Sequence, residues 1–136
     1  MANKLTICGD LSASGNIYGT MPGANHVNTN CGTGNTWSGS NAFDSVAAGA
    51  QYNTGYGYVA LCDLTTGCRN TGFGAHVLGK TTTGVKNTGI GQAALYTNTT
   101  GTCNTASGIY ALYFNTTGTY NTATGTQSLY TNTTAS

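Results

Sequence analysis

Between Asn53 and Ser136 one 17-residue unit is written five times in unbroken phase, with openings at Asn53, Asn70, Asn87, Asn104 and Asn121. A fixed period of this length marks a solenoid, propeller or array, in which no single unit can bury its own apolar face and each copy must lie on the next. Counting from the opening Asn, Thr stands at place two. Gly stands at place five (Gly57, Gly74, Gly91, Gly108, Gly125) and Leu at place nine (Leu61, Leu78, Leu95, Leu112, Leu129). A Thr-Thr pair fills places thirteen and fourteen, followed by Gly67, Gly84, Gly101 and Gly118, with Ala135 in the last copy. An imperfect sixth copy runs from Asn35 to Gly49, with Phe43 in the Leu place and one residue inserted before Asn53. Asn28 to Gly32 echo the opening once more. The expected organisation is an N-terminal strand-and-turn cap with a degenerate coil over residues 1–34, then a repeat array of about six coils over 35–136.

The unit is unsuited to helix, because the copies carry one to four Gly each among Asn and Thr. Short strands joined by tight corners remain, with Gly and Asn suited to the corners because both tolerate positive φ. The apolar run between the two glycines of a copy, such as Ile109 to Phe114, is expected to form the strand. Stacking in parallel then lays each column of side chains on itself, and six coils make a rod of about 29 Å at about 4.8 Å per coil. Asn and Thr columns become amide and hydroxyl ladders. The fold class expected is therefore all-β, a parallel β-solenoid of 17-residue coils.

Its interior looks thin. One Leu per coil, with small Ala60, Val77, Ala94 and Ala111 at place eight and the larger Tyr56, Phe73 and Ile90 at place four, buries little apolar area against the entropy of ordering seventeen residues. Burial of a further column between copies of the chain would supply more, and Tyr96, Tyr113 and Tyr130 at place ten are the candidates. That argument leads to a parallel homotrimer, with the Leu and Tyr columns as its structural and interchain residues.

Other functions are disfavoured by inventory. Charged residues make up 5% of the chain and the net charge is +1, so Lys4, Arg69, Lys80 and Lys86 are too few to neutralise a nucleic-acid backbone. The acids are Asp10, Asp44 and Asp63, and the histidines are His26 and His76, a set that offers no convergent acid, base or nucleophile. No catalytic residue, cofactor or metal is expected. Cys62, Asp63, Cys68 and His76 do not fit a compact zinc spacing. The five cysteines, Cys8, Cys31, Cys62, Cys68 and Cys103, leave at least one unpaired and recur in no column, so they read as small hydrophobes. The glycines recur with the coil, which marks them as corners rather than a nucleotide loop. The sequons at Asn98, Asn115 and Asn132 read as ladder residues. No 18-residue apolar segment is present, which excludes a membrane-spanning helix, and the start Met1 to Cys8 holds no secretory core. Assembly inside the producing cell or release by lysis is the reading that follows.

The units Asn104 to Gly118 and Asn121 to Thr134 resemble the head repeats of trimeric autotransporter adhesins and, more closely, the longer Asn-Thr-Ala-x-Gly-x-x-Ala-Leu repeats of phage and other viral tail-fibre proteins. The resemblance spans residues 35–136, and Gly9 to Gly19 look like the leader of such fibres. It implies a left-handed parallel β-roll or β-helix, trimeric, on a virion fibre or extracellular surface. The function it implies is host attachment, with other fibre proteins and a surface receptor or glycan as partners. Unlike those proteins, the sequence carries no coiled-coil stalk, membrane anchor or self-cleaving chaperone domain. Two alternatives stand beside it. A self-polymerising filament would use exposed coil ends as templates. An ice-binding face needs Thr at alternating positions, and places eleven and thirteen supply such a pair at Thr97 and Thr99 and at Thr131 and Thr133 but not in the other copies.

Overall fold

The computed structural model describes residues 32–136. Six strands of three residues each form one sheet: β1 (Thr36–Ser38), β2 (Thr54–Tyr56), β3 (Thr71–Phe73), β4 (Thr88–Ile90), β5 (Thr105–Ser107) and β6 (Thr122–Thr124). They pair in parallel and in chain order, and like falls on like at each step: Thr54 on Thr71, Thr71 on Thr88, Thr88 on Thr105, Thr105 on Thr122. This is the all-β parallel solenoid that the repeat demands. The expected cap over 1–34 lies outside the described residues except at its end, where Thr33 bridges in parallel to Gln51 and so already belongs to a coil.

The strand is not where the apolar run suggested. It occupies places two to four, ahead of the Gly, while Ile109 to Phe114 and their equivalents are wound into consecutive turns. The cause is a left-handed backbone at residues that rarely adopt it. In the five units from Asn53 onward φ lies between 53 and 58° at place seven (Val59, His76, Ala93, Tyr110, Gln127) and between 50 and 54° at the Leu of place nine. It is again positive at place seventeen, in Arg69, Lys86, Cys103 and Tyr120. Such a conformation costs about 1–2 kcal/mol per non-glycine residue, so each coil holds several kcal/mol of local strain that only its neighbours can offset. The offset is the axial hydrogen bonding. Leu61 N–H donates to Val77 O at 3.0 Å, Leu78 to Ala94 at 3.0 Å and Leu95 to Ala111 at 3.0 Å, so the strained residue is itself a rung.

The expected corners are real at place five. Gly57, Gly74, Gly91, Gly108 and Gly125 have φ between 115 and 140°, and a Cβ on Gly91 would stand 2.7 Å from the Gly108 carbonyl oxygen of the next coil. Place fifteen needs Gly for space instead: a Cβ on Gly84 would stand 2.7 Å from Gly101 O.

Leu61, Leu78, Leu95 and Leu112 are fully buried inside their own coils, with Ala60, Val77, Ala94 and Ala111 beside them. Leu129, in the last coil, is 49% exposed. Place three points inward as well, filled by Gly55, Gly72, Gly89, Ala106 and Ala123. Place four was counted as interior, and the structure corrects this. Strand alternation sends places two and four to the same outer face, so Tyr56, Phe73 and Ile90 are 39, 44 and 48% exposed. What replaces them inside is polar.

Candidate functional site

The interior is stitched by amide ladders. At place one, each Asn side-chain oxygen accepts both the backbone N–H and the Nδ2 of the next Asn, at 2.8 and 3.1 Å for Asn53 to Asn70 and 3.0 and 3.1 Å for Asn87 to Asn104. The same Nδ2 also reaches the place-fifteen carbonyl of its own coil, as Asn87 does to Gly101 O at 2.8 Å. Asn53, Asn70, Asn87 and Asn104 are wholly buried, and this pattern satisfies every donor and acceptor they carry. A second ladder occupies place twelve, where Asn115 Nδ2 donates to Asn98 Oδ1 at 2.8 Å and Asn132 Nδ2 to Asn115 Oδ1 at 3.2 Å. In earlier coils that column is Val46, Leu64 and Thr81, and the Thr81 hydroxyl, between the apolar and the amide parts, is buried without a partner. Asn98 and Asn115 are therefore ladder residues with their amides closed to a glycan.

The Thr-Thr-Gly signature is a cradle. The N–H groups of Thr65, Thr66 and Gly67 converge on Thr82 O at 3.0, 3.2 and 3.1 Å, and the Thr65 hydroxyl donates to the same oxygen at 3.0 Å. Thr82 to Gly84 repeat this on Thr99 O, and Thr99 to Gly101 on Thr116 O. The first Thr of each pair thus turns its hydroxyl along the axis while the second faces water. The alternating outward hydroxyls of an ice-binding face are not built by this pair. The Thr column of place two makes no side-chain hydrogen bond within the described residues and lies on the outer face of the sheet.

The outer surface separates into three zones. The sheet face, places two to six, holds no charged residue among the described coils. In its middle Tyr56 and Phe73 stack with centroids 5.3 Å apart, above Ile90. On the turn face, at places seven to eleven, runs an aromatic file. Tyr96, Tyr113 and Tyr130 stack at 5.3 and 5.4 Å with planes within 22°. Tyr110 and Phe114 meet Tyr113 edge-on at 5.5 and 4.8 Å, and the file continues through His76 to Tyr58. The Tyr column expected to await other chains already has partners within its own chain. Burial raises the Tyr113 phenol above its ordinary value, helped by the neighbouring Tyr96, Tyr130 and Tyr110. Because the rings are stacked along the axis, they turn edges rather than faces outward. The third zone, places fourteen to seventeen, carries the exposed Thr column with Arg69 and Lys86, the former over the Tyr52 ring at 5.9 Å.

Cys62 Sγ donates to Asp63 Oδ1 at 3.0 Å, and Lys80 Nζ pairs with Asp63 at 2.9 Å on the surface. Burial, with the Asp63 hydrogen bond and charge, pushes the Cys62 thiol up to about 12, the opposite of an activated nucleophile. His76 lies in the aromatic file and Cys68 on the far zone, so the residues weighed for zinc are dispersed. Among the described residues no three His, Cys, Asp or Glu side chains gather, and Cys62, Cys68 and Cys103 are all free thiols. No described helix is long and apolar enough to cross a membrane. Set against family models, curated proteins and solved structures, the chain finds no match.

Proposed function

We propose that this chain is a non-enzymatic segment of an attachment fibre, of the kind borne by viral or phage-like particles, in which three parallel copies stand side by side. The observation that carries the reading is the sheet face: free of charge across all six strands, with Tyr56, Phe73 and Ile90 exposed at its centre. Depletion of charge with aromatic enrichment is the composition of an interface core. A parallel copy matches such a face rung for rung, since both repeat once per coil, and cyclic closure leaves none of these columns in water. The Leu column is spent within each chain, and the Tyr column turns away from the shared axis. The faces that remain outside are hydroxyl-rich and repetitive, as an adhesive surface for a receptor or glycan would be.

Mass measurement in solution across a wide concentration range tests this. Trimers that persist on dilution, and that fall to folded monomers in Phe73→Lys, are the expected result. A stable monomer with an unchanged Phe73→Lys variant overturns it, and so do rods that lengthen without limit in electron micrographs.

A further inference from the structure

The tyrosine column is built in a way that packing alone does not require. Hydrophobic burial would be served by any large side chain at place ten, and Cys62 and Gly79 stand there in earlier coils. In three successive coils the place holds Tyr, offset-stacked at 5.3 and 5.4 Å with interplanar angles of 18 and 22°. Tyr110 adds a fourth phenol, edge-on to Tyr113 at 5.5 Å and to Tyr130 at 6.4 Å. The rings cannot drift apart, because the carbonyls of their own residues are rungs: Lys80 N–H donates to Tyr96 O at 2.9 Å, Thr97 to Tyr113 O at 3.1 Å and Phe114 to Tyr130 O at 3.1 Å. Holding two reacting groups at such a separation replaces a bimolecular encounter by an intramolecular one, the situation in which effective molarities become large.

We propose that Tyr96, Tyr113 and Tyr130 form an oxidative cross-linking site, at which a haem peroxidase supplied with hydrogen peroxide joins neighbouring rings of the same chain and staples consecutive coils covalently. Each phenol gives up one electron and its hydroxyl proton to become a phenoxyl radical, with spin density on the carbons ortho to oxygen. Two radicals in adjacent coils form one carbon–carbon bond between ortho carbons, and each ring then moves its ortho hydrogen to oxygen and is a phenol again. One peroxide accepts the two electrons and two protons and leaves as two waters. The ring edges face outward, so electrons can pass to an oxidant at the surface while the rings stay in place. Tyr110 feeds the same column, because its edge lies against both Tyr113 and Tyr130.

Solvent access predicts a different outcome, which makes the proposal testable. Tyr120 is 75% exposed, Tyr52 is 55% and Tyr58 is 52% exposed, and none of them stacks on another tyrosine. The experiment treats the full chain, mixed half and half with a nitrogen-15-labelled copy, with a haem peroxidase and hydrogen peroxide. Dityrosine fluorescence is followed, and linked peptides are identified by mass after denaturation and digestion. The expected products join Tyr113 to Tyr96 or Tyr130, weigh two hydrogens less than the sum of the parent peptides, and carry a single isotope label. Tyr113→Phe preserves the stack and should melt normally, yet lose every link to Tyr96, since Tyr96 and Tyr130 are then two coils apart, about 10 Å, and keep at most the edge-on pair of Tyr110 and Tyr130 at 6.4 Å, so that the dityrosine yield falls. Tyr120→Phe should leave the yield unchanged. Links through Tyr120 or Tyr52, links of mixed label, or an undiminished yield in Tyr113→Phe overturn the proposal. These readouts do not depend on whether three copies assemble, so failure of the fibre reading and failure of this one are separable.

Discussion

Replacement of Asn87 by Ala tests whether the amide ladder holds the coils. Asn87 is fully buried, and its side chain makes four bonds: Nδ2 to Asn70 Oδ1 at 3.0 Å and to Gly101 O at 2.8 Å, and Oδ1 accepting from Asn104 N at 3.0 Å and Asn104 Nδ2 at 3.1 Å. Three of the partners keep another bond in the variant. Asn70 Oδ1 retains the Asn87 N–H, Gly101 O retains Asn98 Nδ2, and Asn104 Nδ2 retains Gly118 O. Each of those losses belongs at the low end, about 0.5 kcal/mol. The Asn104 backbone N–H is left with no acceptor in a dry interior, which costs about 2 kcal/mol, and the amide-sized void adds about 1 kcal/mol. The sum is about 4–5 kcal/mol.

Asn121 in the last coil is the internal control. Its Nδ2 bonds Asn104 Oδ1 at 3.2 Å and Ala135 O at 2.7 Å, but it is half-exposed, and water replaces what Asn121→Ala removes, for a cost of about 0.5–1 kcal/mol. With roughly 4 °C of Tm per kcal/mol for a unit of this size, Asn87→Ala should melt about 15–20 °C below the parent and Asn121→Ala within a few degrees of it. Thermal unfolding followed by circular dichroism reads both. Asn87→Asp sharpens the test, since it turns a donor into a second oxygen facing Asn70 Oδ1 and Gly101 O. Its burial raises the new carboxyl, so this variant alone should gain stability as the pH falls and the protonated acid donates again. Equal melting of Asn87→Ala and Asn121→Ala would refute the view that the ladder, rather than coil stacking in general, carries the interior.

Thr81→Val keeps the shape and deletes the buried hydroxyl that has no partner, so it should raise stability by about 1 kcal/mol in a denaturant titration; a loss would mean the hydroxyl is satisfied. The dependence of Tm on pH should be flat on the acid side and fall on the alkaline side. Burial pulls the Asp63 carboxyl up, but the Cys62 thiol and Lys80 outweigh it and hold it below its ordinary value, so its contribution vanishes only in strong acid, and as a surface pair it is small. Cys62 rises from 9.0 to about 12 and Tyr113 is also raised, so the folded state favours their protonated forms, and that stability is complete below about pH 9 and lost as the pH climbs. Tyr113→Phe should shallow the alkaline limb, and a transition steeper in acid would contradict the assignment. Finally, Gly89→Ala and Val77→Ala should each cost about 2 kcal/mol, by clash and by cavity, while the double variant recovers most of the loss in a double-mutant cycle.

The period, the parallel stack and the Asn ladders were legible because they are statements about columns, and a column can be read directly from five aligned copies. The side of the chain on which each column lies was not. Tyr56, Phe73 and Ile90 look like core by hydropathy, yet alternation about the inward Gly55, Gly72 and Gly89 sends them to water. The strand was misplaced for a related reason. Ile109 to Phe114 carry strand formers, but Tyr110 and Leu112 adopt φ of 57 and 51°, and nothing in a tyrosine or a leucine announces a left-handed backbone. Local propensity is overridden there by the axial hydrogen bonds of two neighbouring coils, which a single unit read alone cannot reveal. The tyrosine file was visible as Tyr96, Tyr113 and Tyr130 at equal spacing. Its in-chain stacking followed only once place ten was fixed on the turn face.

The variation between copies is also ordered, and it explains why a thin interior specifies one register. Places three and eight face each other across adjoining coils and exchange volume. Val77, the one large residue at place eight, lies between Gly72 and Gly89, where a Cβ would stand 2.9 and 2.6 Å from its methyl groups. Where place eight shrinks to Ala94 and Ala111, the place-three residues of the following coils grow to Ala106 and Ala123, which are buried at 0 and 2% exposure. Trp37 fills place three of the first described strand and stacks at 5.4 Å on Phe43, while a Cβ on Gly55 of the next coil would run into the Phe43 ring. A slip by one coil would pair Val77 with Ala106 or Trp37 with the wrong neighbour, and a slip by one residue would break both amide ladders at once. The polar ladders therefore set which residue lies over which, and the alternation of Gly, Ala, Val and Phe sets which coil lies over which. Uniform repeats would have given the first constraint without the second, so that no mismatch would oppose a stack in which one coil is looped out and its neighbours meet.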